Sequence, residues 1–218
     1  MNWRNALLIA ALVAGSSYYL DHWINLDVEL VGPMAAIVWK GLGVGLLAVW
    51  AASKARSTDG WLIAAVLAFG ALGDVLLEAM DLTTGAVAFL IGHVIAVVLY
   101  LRNRQGPYWH AVLIAAAVAT LSWVLPADRA AAPGIALYAL GLGAMAGTAW
   151  ISRFAGNGVA MGAALFVISD ILIFARLGPL AQSGAPGLLI WPTYFGGQAL
   201  IAWGVVWSQE FEGLHDRI

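Results

Sequence analysis

Gly162-Ala163-Ala164-Leu165-Phe166-Val167-Ile168-Ser169-Asp170-Ile171-Leu172-Ile173 is an apolar run with one charged residue, Asp170, near its end. A second run, Gly73-Asp74-Val75-Leu76-Leu77, repeats the arrangement of a small residue, Asp and three aliphatics. A charge deep in a spanning helix costs about 2.5–3.5 kcal/mol on insertion scales, so such residues usually face an interior and carry function. Two acids in matching surroundings suggest one site.

Around these runs the chain is 62% hydrophobic and only 10% charged over 218 residues, far outside the range of a soluble domain of that length. The fold class this predicts is all-α: a polytopic membrane bundle, read as one domain over 1–218. Apolar runs separated by short polar clusters give eight spans at about 5–20, 31–52, 60–78, 83–101, 109–125, 134–151, 157–175 and 187–208. Arg4, the apolar run after it and Ala14-Gly15-Ser16 imitate a signal peptide, but nothing soluble follows that would need exporting, so a first span is expected.

Placing the loops alternately puts Arg4, Lys54, Arg56, Arg102, Arg104, Arg153 and Arg217 on one side and only Arg129 and Arg176 on the other. The positive-inside rule then predicts cytoplasmic termini. Nine of the eleven tryptophans (3, 23, 50, 61, 109, 123, 150, 191 and 207) fall near span ends, as an aromatic belt requires. With a net charge of −2 and no basic run, nucleic acid is excluded as a partner. The absence of cysteine excludes disulfides, thiolate metal ligands and cysteine nucleophiles.

The match between the two acid-bearing segments extends into the helix that follows each. Phe89-Leu90-Ile91-Gly92-His93 and Tyr194-Phe195-Gly196-Gly197-Gln198 both read aromatic, two residues, Gly, polar. Four spans separate the copies, so they share an orientation, which suggests a 4+4 parallel repeat. From the helical rise, Asp74 and Asp170 lie roughly 20 Å above the cytoplasmic starts of their spans, and His93 and Gln198 roughly 15 Å below the outer starts of theirs. These four could line one cavity opening outward, with Gly70, Gly73, Gly92, Gly196 and Gly197 allowing close helix approach.

Each polar residue has a functional and a plain reading. Asp74 and Asp170 are either an acid–base pair or carboxylates that bond helix-end amides or Lys40; the functional reading is preferred. His93, the histidine deep in a span, is a general acid/base or a satisfied interhelical partner. Lys40, near the middle of span two, either offsets an Asp, the preferred reading, or binds an anionic part of a ligand. Ser169 reads as a supporting hydroxyl and Glu78 as solvated. Zinc normally needs three protein ligands, and one deep imidazole beside two acids does not supply a usual set, so no metal and no cofactor is expected.

Gly73-Asp74, Gly92-His93, the 162–170 string and Tyr194-Phe195-Gly196-Gly197-Gln198-Ala199-Leu200-Ile201 together resemble the YhhN-like lysoplasmalogenase family. The resemblance runs from Lys40 to the last helix. It implies an eight-helix hydrolase, in a bacterial inner or plasma membrane, that cleaves the vinyl ether bond of lysoplasmalogens. Asp74, Asp170 and His93 would then be catalytic, and Tyr194, Gln198, Lys40 and Ser169 would bind the lysophospholipid. Gly41 after Lys40 and Ala96 after His93 depart from the family pattern, where Pro and an aromatic are expected. The competing reading is a proton-coupled transporter of lipids or small molecules, since repeats with buried acids are also a transporter trait. A lipid-binding or assembly protein without chemistry is a third. Oligomeric state and which Asp is the acid are left open by the sequence.

Overall fold

The computed structural model describes residues 2–24 and 32–215, and among these every regular element is helical. Eight α-helices follow in order: α1 Trp3–Ile24, α2 Pro33–Lys54, α3 Thr58–Ala79, α4 Leu82–Arg102, α5 Tyr108–Val124, α6 Ala132–Trp150, α7 Val159–Arg176 and α8 Ala185–His215. The number agrees with the eight apolar runs. Residues 34–54, α3, α4, α6 and α7 are each long and apolar enough to cross a bilayer, and α5 is apolar but shorter. The protein is therefore a multi-pass membrane protein. Arg217, counted in the charge asymmetry, lies outside the described residues, as do the side chains of His22, Trp23 and His215.

Helix ends fall where the local chemistry puts them. Pro33 opens α2 and Pro133 lies in the first turn of α6, where a missing amide costs nothing. Ser57 caps α3 by accepting from the Gly60 amide at 3.1 Å. Asp81 does the same for α4, accepting from the Thr84 amide at 2.9 Å and the Thr84 hydroxyl at 2.7 Å. Those bonds, the hydroxyl's first, hold the exposed Asp81 carboxyl below the usual carboxylate range. The largest departure from expectation is α8, which runs to His215 rather than about 208. Gln209 and Glu210 are good helix formers, so the polar end continues the helix.

The chain divides into two compact units, residues 1–95 and 96–218. In the first, α2 packs on both α1 and α3. The Trp39 indole of α2 donates to Ala14 O at 3.2 Å and Ser17 Oγ at 3.0 Å on α1, and meets the Tyr18 ring edge-on. In the second unit α5 pairs with α6 and α7 with α8, and α6 also packs on α7. Their loops are tied in alternation. Gln105 and Gly106 amides bond Ile151 O at 2.8 and 2.9 Å, and Arg153 Nε bonds Asn103 Oδ1 at 2.6 Å, joining the α4–α5 and α6–α7 connections. The Ala127 amide bonds Leu177 O at 3.0 Å, joining the α5–α6 and α7–α8 connections.

The tryptophan belt is partly corrected. Trp3, Trp61, Trp109, Trp123, Trp150 and Trp207 are exposed, as lipid-facing residues should be, but Trp50 and Trp191 are buried. Trp191 packs inward on Tyr194 and stacks on Phe195, so proximity to a helix end did not decide its direction.

Candidate functional site

Both acids are buried. Asp74 on α3 is 2% exposed, and Asp170 on α7 is 5% exposed. Asp74, His93 and Lys40 belong to the first unit, and Ser169, Asp170, Tyr194 and Gln198 to the second.

In the first unit Gly73 brings α3 against α4. A Cβ added there would stand 2.7 Å from the Phe89 ring, so only glycine admits the phenylalanine beside Asp74. Gly85 meets Leu77, and Gly92 meets Phe69 and the Val66 carbonyl, which fixes an antiparallel register. That register sets His93, 3% exposed, one to two turns along from Asp74, about 5–10 Å in the helix direction. Both residues take part in interactions within the protein.

Lys40 overturns an expectation. Its Nζ bonds Glu78 Oε1, a residue read as solvated, rather than the Asp it was expected to offset. The reason is reach. Because α2 starts at Pro33, Lys40 stands only two turns inside the helix, and its flexible stem carries the ammonium toward the helix end where Glu78 sits.

The second unit gathers more of the polar set. Tyr138 Oη of α6 donates to Asp170 Oδ2 at 2.7 Å. Ser169 Oγ lies 2.8 Å from Phe166 O and 3.2 Å from Asp170 Oδ1, so it supports the neighbouring carboxylate as its type suggested. One turn earlier the Phe166 ring meets the Tyr194 ring edge-on at 5.1 Å. Gln198 Nε2 donates to Tyr194 Oη at 3.5 Å, the i to i+4 pairing expected of one helix face. Gln198 is 1% exposed.

Close approach of α7 and α8 depends on Gly162 and Gly197, each of whose added Cβ would lie 2.7 Å from the other's carbonyl oxygen. Gly197 was expected there. Gly162 was not, and Gly196, which was, has nothing within 4 Å of an added Cβ. Successive residues differ by about 100° on a helix, so only one of two adjacent glycines can face the partner.

Gly92 and Gly197 reveal the repeat in three dimensions. Gly92 approaches the Val66 carbonyl and Phe69 Cβ; Gly197 approaches the Gly162 carbonyl and Leu165 Cβ. Val66 and Phe69 precede Asp74 by eight and five residues, and Gly162 and Leu165 precede Asp170 by the same eight and five. The two helix pairs are thus packed in one register. One helix further back the correspondence continues: Lys40 reaches α3 at Glu78, four residues after Asp74, and the Tyr138 ring meets Phe174, four residues after Asp170.

Tyr138 is the residue that sequence reasoning missed. A tyrosine in an apolar span looks like packing, and its signal was positional: extending the repeat from α3 back to α2 would have set it opposite Lys40.

Fold and site together define a class: an all-helical, multi-pass membrane protein with a buried carboxylate in each of two repeated helix pairs. Residues 35–205 match the model of the YhhN family, and the chain belongs to that family. Searches of curated proteins and of solved structures gave no match.

Proposed function

We propose that the protein is a membrane hydrolase that cleaves the vinyl ether bond of lysoplasmalogens, releasing a fatty aldehyde and a glycerophospho-ethanolamine or -choline. The observation that carries this reading is a buried Asp at the equivalent place in each helix pair of a YhhN-family chain. Vinyl ether hydrolysis begins with proton transfer to the carbon β to the ether oxygen, giving an oxocarbenium-like species. Water adds to it, loses a proton, and the resulting hemiacetal collapses to aldehyde and alcohol. One carboxyl group must therefore hold a proton, and one must be ionised to stabilise the cation and take the water's proton. The same division of labour serves glycoside hydrolysis, where the transition state also resembles an oxocarbenium ion.

Asp74 and Asp170 fill these two tasks. His93 assists proton movement, while Tyr194 and Gln198 orient substrate or water and Ser169 supports Asp170. Lys40, bonded to Glu78 two turns inside α2, meets the anionic headgroup region. Both termini are cytoplasmic in this reading. The alternating loop ties of the second unit support it, because they gather Arg102, Arg104 and Arg153 at one end and Arg129 and Arg176 at the other.

The test is substrate discrimination. Purified protein should release free aldehyde from a lysoplasmalogen and none from the saturated ether analogue or the acyl lysolipid. Hydrolysis of the acyl lysolipid would make it an esterase. Proton-driven uptake into vesicles without aldehyde would make it a transporter.

A further inference from the structure

We propose that Lys40 and Glu78 form a headgroup clamp that selects zwitterionic lysolipids: the lipid phosphate takes the Lys40 ammonium, the headgroup's own ammonium takes the Glu78 carboxylate, and one ion pair is exchanged for two. The clamp takes its lysolipid from the hydrolase reading, and its choice of headgroup from the charges of the first unit alone. Lys40 Nζ bonds Glu78 Oε1, which joins α2 to the last turn of α3. The two side chains are unequally covered, 13% of Lys40 and 41% of Glu78 being exposed, so the cation is the inner partner and the carboxylate the outer one. A lysine in an apolar span is costly to insert, and a pair this open returns only a fraction of that cost, so stability does not account for Lys40.

The order of the groups along α3 is that of a lysolipid. Gly41 packs against Val75 and the Ala71 carbonyl, which sets the backbone of Lys40 beside the turn that carries Asp74. From there the lysine stem rises to Glu78, four residues after Asp74 on the same helix face and about 6 Å further along. Asp81, three residues beyond Glu78, is exposed and bonded through both carboxyl oxygens to Thr84. Going outward, an acid, a cation and two carboxylates therefore follow one another. A lysolipid presents its ether bond, its glycerol and phosphate, and its ammonium in the same order. A lipid that brings both charges leaves neither member of the pair unmatched. One whose headgroup is only anionic would satisfy Lys40 and set its remaining negative surface against Glu78 and Asp81.

Binding of saturated ether lysolipids, which have no vinyl ether to cleave, tests the clamp on purified protein in neutral detergent. Wild type should bind the phosphoethanolamine and phosphocholine lipids about tenfold more tightly than a phosphoglycerol lipid of the same chain length. Glu78→Gln should bring that ratio close to one by weakening the zwitterions, and Glu78→Lys should turn the preference toward phosphoglycerol. Lys40→Gln should weaken all three lipids together, since each carries the phosphate. Equal binding by wild type, or a ratio unmoved by Glu78→Gln in protein as heat-stable as wild type, overturns the clamp. The readout is separate from turnover. Aldehyde release from lysoplasmalogen with a ratio of one would defeat the clamp and keep the hydrolase reading, whereas selective binding without aldehyde release would defeat the hydrolase reading and keep the clamp.

Discussion

Tyr138 Oη stands 2.7 Å from Asp170 Oδ2, joining α6 to the acid of α7. The corresponding place on α2 is held by Lys40, which reaches past the level of Asp74 to Glu78. The two helix pairs thus share a packing register, and the helix before each carries a different polar residue at the matching place, Lys40 on α2 and Tyr138 on α6.

The packing register predicts unequal sensitivity at two adjacent glycines. Gly197→Ala would set a methyl 2.7 Å from the Gly162 carbonyl, where only backbone movement could relieve it. A cost of about 1–3 kcal/mol follows, read as a melting temperature in detergent lower by several degrees. Gly196→Ala, with open space at its Cβ, should leave that temperature unchanged. Equal effects at the two positions would contradict the register.

Lys40 and Glu78 should behave as a coupled pair outside the chemistry. A double-mutant cycle with Lys40→Gln and Glu78→Gln should give a stability coupling of about 0.5–1 kcal/mol, small because Glu78 is substantially exposed. Turnover of Glu78→Gln should stay within an order of magnitude of wild type. A loss comparable to that of Asp74→Asn would move Glu78 into the reaction.

How much of this was legible depended on what each feature needs. Helix number followed from apolar runs alone, since a continuous apolar run of about 20 residues crosses a bilayer as a helix that satisfies its own backbone. The acids stood out because charge in such runs is costly. Partners were harder, being set by helix phase and side-chain reach. Lys40 was assigned to an Asp because its stem was not followed to the helix end, and Gly196 was preferred alongside Gly197 because a string of letters carries no rotation. Trp50 and Trp191 sit near helix ends yet turn inward, a direction their sequence position does not encode. Tyr138 required the repeat to be carried one helix further than its obvious match.

Topology gives the next expectation. Reporters fused after Arg217 and inserted in the 126–131 loop should fall on opposite sides of the membrane, with the C-terminal one cytoplasmic. A C-terminal reporter on the outer side would invert the orientation and the face from which the acids are reached.

The central claim is that two buried carboxylates carry vinyl ether hydrolysis, and aldehyde release by Asp74→Asn and Asp170→Asn tests it most directly. Asn keeps the shape of Asp and removes only charge and proton, so insertion and folding should be unharmed. Each variant, monodisperse and as heat-stable as wild type, should turn over lysoplasmalogen at least about 100-fold more slowly, the low end of what a positioned acid or base contributes. If either one stays folded and keeps more than about a tenth of the wild-type rate, the two-carboxylate account is contradicted.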